Sequence, residues 1–141
     1  MSEIGYQGDV SSEQAWEMLA QDPDAVLVDV RTLAEWAFVG VPDLAALDKQ
    51  PYFISWQHYP TMDRNVDFLS GIEAKGIERT QTLLFLCRSG ARSRAAAIEV
   101  TTHGFARAFN IGDGFEGSLD DEGHRGGRQG WKASGLPWKQ Q

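Results

Sequence analysis

Apolar residues fall along this chain in short blocks, and the spacing within each block marks out an element. Val26-Leu27-Val28 and Thr82 to Leu86 are unbroken runs of strand length with polar residues on either side, the pattern of strands buried on both faces. Elsewhere the spacing is helical. Ala15, Met18 and Leu19 follow Ser11, and Gln21 to Asp24 end that segment. Val66, Leu69 and Ile72 share one face of a helix predicted over Asn65 to Lys75, with Gly76 as its stop. A further helix is predicted from Ser93 to about His103, stopped by Gly104. Ser11 with Gln14, and Thr32 with Glu35, have the spacing of capping boxes and place two helix starts. Phe53-Ile54-Ser55-Trp56 and Phe105 to Ile111 read as strands, the second with Arg107 and Asn110 among apolar neighbours. Strands alternating with helices predict an α/β fold: a central parallel sheet of about five strands with helices on both faces. The chain reads as one domain over residues 1–141, with its core at about 10–138 and no internal repeat or low-complexity linker.

Composition narrows the function. With 141 residues, 42% of them hydrophobic, the chain is long enough to bury a sizeable core. A net charge of −7 argues against nucleic acid or a membrane surface as partner, because both need a cationic face. No apolar run reaches the length of a membrane span, and Met1 to Gly5 has neither a basic start nor a hydrophobic segment. One cysteine cannot form a disulfide within the chain and fits a reducing compartment, so the expected location is the cytoplasm. His58, His103 and His124 show no metal-ligand spacing with one another or with Cys87, so no metal and no other cofactor is expected.

That cysteine, Cys87, stands where the run Thr82 to Leu86 ends and a tight segment, Arg88-Ser89-Gly90-Ala91-Arg92-Ser93, curls towards a helix. In an open α/β sheet this is the carboxyl end of a strand, where ligands bind. The amides of a loop entering a helix point inward, and the helix dipole adds partial positive charge. Arg88, Arg92 and Arg94 lie between Leu83 and Ile98, with no acidic residue among them. Such surroundings favour the thiolate and make Cys87 the candidate nucleophile rather than an inert packing residue. Gly90 lets the backbone turn tightly round a bound anion.

The run Cys87-Arg88-Ser89-Gly90-Ala91-Arg92-Ser93 resembles the active-site loop of the rhodanese family of sulfurtransferases. Val28-Asp29-Val30-Arg31 with Glu35-Trp36 resembles that family's Asp-Val-Arg…Glu-aromatic element. Asn110-Ile111 before Gly112-Asp113-Gly114-Phe115 is similar to its strand and glycine-rich turn. Trp131 and Gly135-Leu136-Pro137 are similar to its closing motif. The resemblance implies that Cys87 carries a sulfane sulfur as a persulfide, received from a small anionic donor and passed to a small or protein thiol. It implies that residues 88–93 bind the donor, and that Asp29 and Arg31 support the site, with Asp29 orienting a loop arginine; by residue type alone Asp29 is equally a turn or helix cap. Arg88 directly after the cysteine is similar to thiosulfate users, whereas mercaptopyruvate users tend to have glycine there.

Two stretches depart from the family. Its common Gly-His-Ile-Pro-Gly-Ala is replaced by Val39-Gly40-Val41-Pro42-Asp43-Leu44, so no role resting on that histidine carries over. Residues 43–64 that follow are rich in aromatics (Tyr52, Phe53, Trp56, Tyr59) and read either as core packing or as a pocket wall. Residues 116–130 are a glycine-rich insertion, read as a solvated loop or a lid. Two other function classes stay open. A phosphatase or arsenate reductase also uses cysteine in an anion-cradling loop, but such phosphatases place arginine six positions after it, where Ser93 stands. A module that only binds partners is the other, although such rhodanese-like domains have typically lost the cysteine.

Overall fold

In the computed structural model, which describes residues 5–58, 61–117 and 130–140, the apolar runs become a parallel sheet. In chain order the elements are β1 (Gly8–Val10), α1 (Ser12–Gln21), β2 (Val26–Asp29), α2 (Leu33–Phe38), β3 (Val41–Pro42) and a 3-10 turn (Ala45–Leu47). There follow β4 (Tyr52–Phe53), β5 (Gln57–His58), β6 (Asp63–Arg64), α3 (Phe68–Ala74), β7 (Leu83–Leu86), α4 (Ala91–Thr102), β8 (Ala108–Ile111) and β9 (Trp138–Lys139). The main sheet runs β1-β8-β7-β2-β4, all parallel, so β7 and the cysteine after it are central. The predicted α/β architecture is the one observed.

Alternation along β7 divides the core. Leu83, Phe85 and Cys87 face one side, with Val28, Phe68, Ile72, Ala96, Ala97 and Val100, which is the side of α3 and α4. Leu84 and Leu86 face the other, with Ala15 and Leu19 of α1 and with Phe115 and Trp131. Both capping boxes form: Ser11 with Gln14 opens α1 and Thr32 with Glu35 opens α2. β3 and β9 pair antiparallel away from the main sheet, and Trp131 Nε1 donates to the Pro137 carbonyl at 2.7 Å, so the tail is tied back beside the glycine-rich turn.

Several boundaries differ from those read off the pattern. The third helix begins at Phe68, after Asp67, so Val66 lies before it and is 85% exposed instead of sharing its buried face. Only Tyr52–Phe53 of the aromatic segment pairs with the sheet, as an edge strand of two residues. Ile54 is buried, and Trp56 packs edge-on against Phe68 with ring centroids 5.2 Å apart. Helix α4 starts at Ala91, two residues before the expected Ser93, with Gly90 in the left-handed region as the residue that turns the chain into it. Most of the glycine-rich insertion, with His124, and the pair Tyr59-Pro60 lie outside the described residues. No described helix is long and apolar enough to cross a membrane.

Candidate active site

The loop after β7 is shaped by two glycines. Gly90 has φ +105°, and a Cβ there would stand 2.5 Å from the Gly112 carbonyl oxygen. Gly114 has φ +66°, and its Cβ would fall 2.3 Å from the Arg88 carbonyl oxygen. A side chain at either position would push the glycine-rich turn off the cysteine loop. That turn is bonded to the loop directly. The Phe115 amide donates to the Cys87 carbonyl at 2.8 Å, and the Glu116 and Gly117 amides both donate to the Arg88 carbonyl at 3.1 Å. From the far side, Asp113 Oδ1 accepts from the Ser12 amide at 2.9 Å and its hydroxyl at 2.8 Å, anchoring the turn on α1.

Within this frame Cys87 is 1% exposed. Its sulfur accepts from the Gly90 amide at 3.1 Å and lies 3.2 Å from the Ser93 hydroxyl. Ser93, fully buried, also reaches Asn110 Oδ1 at 2.5 Å. The first-turn amides of α4 have no acceptor within the helix, so the loop presents N–H groups and the positive end of a dipole to an anion.

The three nearby arginines are disposed of differently. Arg88 is exposed, and its side chain makes no hydrogen bond or ion pair among the described residues. Arg92 is clamped by Glu35 of α2: Nη1 to Oε1 at 2.6 Å and Nη2 to Oε2 at 2.9 Å. Arg94 turns away, over the Tyr6 ring at 6.0 Å. Burial pushes the Glu35 carboxyl up, but the hydrogen bonds and charge of Arg92 outweigh it and hold the group below its ordinary value. Burial likewise disfavours the Arg92 cation, and the bonds and charge of Glu35 more than offset this, so its affinity for a proton is raised.

Asp29 and Arg31 are both fully buried at the end of β2. Arg31 Nε donates to Asp29 Oδ1 at 2.9 Å and Nη2 to Oδ2 at 2.7 Å, while Nη2 also reaches the Gly40 carbonyl at 2.8 Å. The Arg31 guanidinium lies over the Phe115 ring, 4.3 Å from its centroid. The arginine that Asp29 orients is therefore Arg31, and not an arginine of the cysteine loop as the resemblance implied. Glu35 takes the loop arginine because α2 rises directly from the end of β2 and carries its third residue alongside Arg92. The capping box hid this double duty: Glu35 Oε1 also accepts from the Thr32 amide at 3.2 Å. Asn110 was visible as a polar residue in an apolar strand, but its contact with Ser93 was not.

Of the predicted set, Cys87, Gly90, Arg92 and Ser93 come together; Arg88 and Ser89 are exposed at the rim, and Ala91 opens the helix. A surface cavity of about 500 Å³ between Val41, Leu44, Lys49, Pro51, Phe53 and Lys139 contains no residue of the cysteine loop. The edge aromatic Phe53 thus lines a cleft away from the sulfur. Among the described residues no cluster of three His, Cys, Asp or Glu side chains is arranged to hold a metal ion.

Comparison with known proteins decides the family. The STR4 middle-domain model matches residues 7–141. The chain belongs to the STR4 middle-domain family. This STR4-type domain is 42% identical over 130 residues to an uncharacterized protein, the RP600 homolog of Rickettsia rickettsii, covering 92% of this chain and 95% of that one. It is 29% identical to a sulfurtransferase of Allochromatium vinosum over 129 residues, 92% of each chain. It is 34% identical to the chloroplastic thylakoid rhodanese-like protein of Oryza sativa subsp. indica, matching 93% of this chain but only 25% of that longer protein. Among solved structures, the crystal structure of Rv0390 from M. tuberculosis superposes with a TM-score of 0.89 at 50% identity, over 96% of this chain and 99% of that one. The STR4-type domain therefore has rhodanese-like and sulfurtransferase relatives, and these support a transferase of rhodanese type.

Proposed function

We propose that this protein is a sulfurtransferase that takes a sulfane sulfur from thiosulfate, or a similar small anionic donor, and holds it as a persulfide on Cys87. The observation that carries the reading is the placement of the sulfur: at the carboxyl end of the central strand, with the Gly90 amide on it and the uncommitted Arg88 at the rim. The thiolate attacks the outer sulfur of the donor, the S–S bond of thiosulfate breaks, and sulfite leaves with the bonding pair. The new S–S bond leaves the negative charge on the outer sulfur, where loop amides and the helix dipole stabilise it. An acceptor thiolate, small or on a protein, then attacks that outer sulfur and returns Cys87 as thiolate, giving ping-pong kinetics. Arg88 suits the sulfonate end of the donor because a guanidinium offers several donors in a fixed fork. A reducing compartment such as the cytoplasm fits a mechanism that needs the lone thiol free.

The geometry does not favour phosphoryl chemistry. A buried serine on the sulfur stands where a phosphatase loop would place its arginine, Arg92 is neutralised by Glu35, and Arg94 points at Tyr6.

Intact mass after incubation with thiosulfate tests the reading. The wild-type chain should gain one sulfur that dithiothreitol removes, and Cys87→Ser should gain none. A wild-type chain that stays unloaded, or a Cys87→Ser chain that loads, would sink the mechanism. Arg88→Gly should lower kcat/KM for thiosulfate about ten- to a hundredfold, corresponding to about 1–3 kcal/mol, while activity with an uncharged persulfide donor falls far less. Equal losses with both donors would show that Arg88 does not read the donor's charge.

A further inference from the structure

Strands β1 and β8 lie side by side in parallel, and their register sets Asp9 opposite Asn110. Asn110 Nδ2 donates to Asp9 Oδ1 at 2.9 Å, and the Tyr6 hydroxyl donates to the same oxygen at 2.6 Å. A carboxylate only accepts, so the NH₂ end of the Asn110 amide must face Asp9 and the carbonyl end must face the opposite way. There the carbonyl oxygen stands 2.5 Å from Ser93 Oγ, which is itself 3.2 Å from Cys87 Sγ. Ser93 has one hydroxyl proton for these two contacts. A carbonyl has none to give, whereas a thiol has one, so with Cys87 protonated the Ser93 proton lies towards Asn110 and Ser93 turns a lone pair to the sulfur; only a thiolate competes with the carbonyl for that proton. Ser93 is fully buried and Asn110 is 3% exposed, so the arrangement is not loosened by solvent.

We propose that Asp9, Asn110 and Ser93 form a positioning relay, in which the Asp9 carboxylate fixes the Asn110 amide and thereby turns the Ser93 hydroxyl proton away from Cys87. The thiol form is then fully bonded, its S–H donating to Ser93 Oγ. The thiolate faces a lone pair, unless Ser93 rotates and leaves a buried carbonyl without its donor. In the persulfide the inner sulfur carries neither proton nor charge, so the same lone pair meets a neutral atom. The relay therefore disfavours the empty thiolate against both the resting thiol and the loaded persulfide. It opposes the Gly90 amide and the helix dipole, which act in the thiolate's favour. Among the described residues, the other charged groups on the neighbouring elements include Arg88 in the loop, Arg92 with Glu35, Arg94 over Tyr6, the internally paired Asp29 and Arg31, and Asp113 and Glu116 of the glycine-rich turn.

This inference rests on the reading of Cys87 as the sulfur carrier, but its test needs no sulfur transfer. Because Cys87 is the chain's one cysteine, the pH dependence of alkylation by iodoacetamide, together with ultraviolet thiolate absorbance, reports on it alone. Ser93→Ala should lower the pH midpoint of alkylation by about one unit, a tenfold gain in thiolate below the midpoint. Asn110→Leu, which frees the hydroxyl to donate to sulfur, should lower it at least as much. In the Ser93→Ala background Asn110→Leu should add nothing, since its effect runs through the hydroxyl. Asp9→Ala should move the midpoint in the same direction by less. A rise on Ser93→Ala would show that Ser93 donates to the thiolate and would overturn the relay. So would unchanged midpoints, or an Asn110→Leu shift that persists without the hydroxyl. Should Asn110→Leu fail to fold, the signs for Ser93→Ala and Asp9→Ala decide. Wild-type protein that shows these shifts but takes no sulfur from thiosulfate would remove the functional reading and leave the relay standing.

Discussion

The clamp between Glu35 and Arg92 joins α2 to the first turn of α4, and its strength can be separated from the other task of Glu35 by a double-mutant cycle. The pair is bidentate, with side chains only 19% and 17% exposed. An exposed ion pair contributes roughly 0.2–1 kcal/mol, and a hydrogen bond to a charged group about 1.5–3. A two-pronged pair shielded to this degree lies between them, at about 1–2 kcal/mol. Glu35→Ala also loses the return bond of the Thr32 capping box, on the order of 0.5–1 kcal/mol. The expected costs in urea unfolding are therefore about 1–2 kcal/mol for Arg92→Ala and about 1.5–3 for Glu35→Ala. The double variant should be no less stable than Glu35→Ala alone, because the clamp can be lost only once. At about 3–5 °C per kcal/mol for a chain of this length, both single changes are readable as melting shifts. If the two costs add to within about 0.5 kcal/mol in the double variant, the pair is not coupled and the clamp is a coincidence of placement.

Three further outcomes follow from the same geometry. Because Arg92 holds the Glu35 carboxyl below its ordinary value, the stabilisation from that pairing is complete above the unfolded value of 4.5 and is lost as pH falls through the lower folded value. The stability gap between wild type and Glu35→Gln should accordingly hold from neutral pH down to that region and close below it; a gap that widens in acid would contradict this. Gly114→Ala forces φ +66° on a residue with a Cβ and sets that atom against the Arg88 and Ser89 backbone. It should cost roughly 1–3 kcal/mol or more and change the rate of Cys87 alkylation, and near-wild-type behaviour in both would refute the close approach. Lys49 Nζ donates to the carbonyls of Leu19, Asp22 and Ala25 at 2.8, 2.7 and 2.8 Å, closing the end of α1 against the start of β2. Lys49→Met should cost about 1–3 kcal/mol in urea unfolding, and Lys49→Arg should not restore it, because a planar fork cannot converge on three carbonyls as a tetrahedral ammonium does.

What was legible in the sequence is what local chemistry specifies. The capping boxes at Ser11 and Thr32 need only residues three apart, and both form. The unbroken apolar run before Cys87 has the length and flanks of a strand covered on both faces, and it is central in the sheet. The errors fall where tertiary contacts override the local pattern. Val66 keeps helical spacing with Leu69 and Ile72, yet the backbone enters the helix only at Phe68, and the matching periodicity does not bury it. Phe53 to Trp56 has the composition of a strand, but β4 is an edge with one neighbour, and past Phe53 the regular ladder gives way to single bonds from the Ile54 and Trp56 amides to the Asp29 and Val30 carbonyls. Asn110 could be singled out as polar in an apolar strand; that it meets Asp9 depends on the register of β1 against β8, which no local spacing encodes.

The arginines around Cys87 show most directly why residue counting misleads at such a site. Arg88, Arg92 and Arg94 with no acid between Leu83 and Ile98 read as a concentrated positive field. In the folded chain an acid arrives from 57 residues away in sequence: Glu35 neutralises Arg92 at 2.6 Å. Arg94 projects over Tyr6, whose hydroxyl is in turn bonded to Asp9. To the charge of the side chains the fold adds the Gly90 amide and the helix dipole at the sulfur, which are backbone features. Such dipoles are fixed by the fold and would need no reorganisation in the proposed transfer, where charge moves from the inner to the outer sulfur. Among the described residues the rim of the loop then carries one uncommitted guanidinium, Arg88, rather than a cluster. Arg92 keeps the loop on α2, whereas Arg88 is left free for the proposed donor, so changing Arg88 should alter donor preference and changing Arg92 should alter stability.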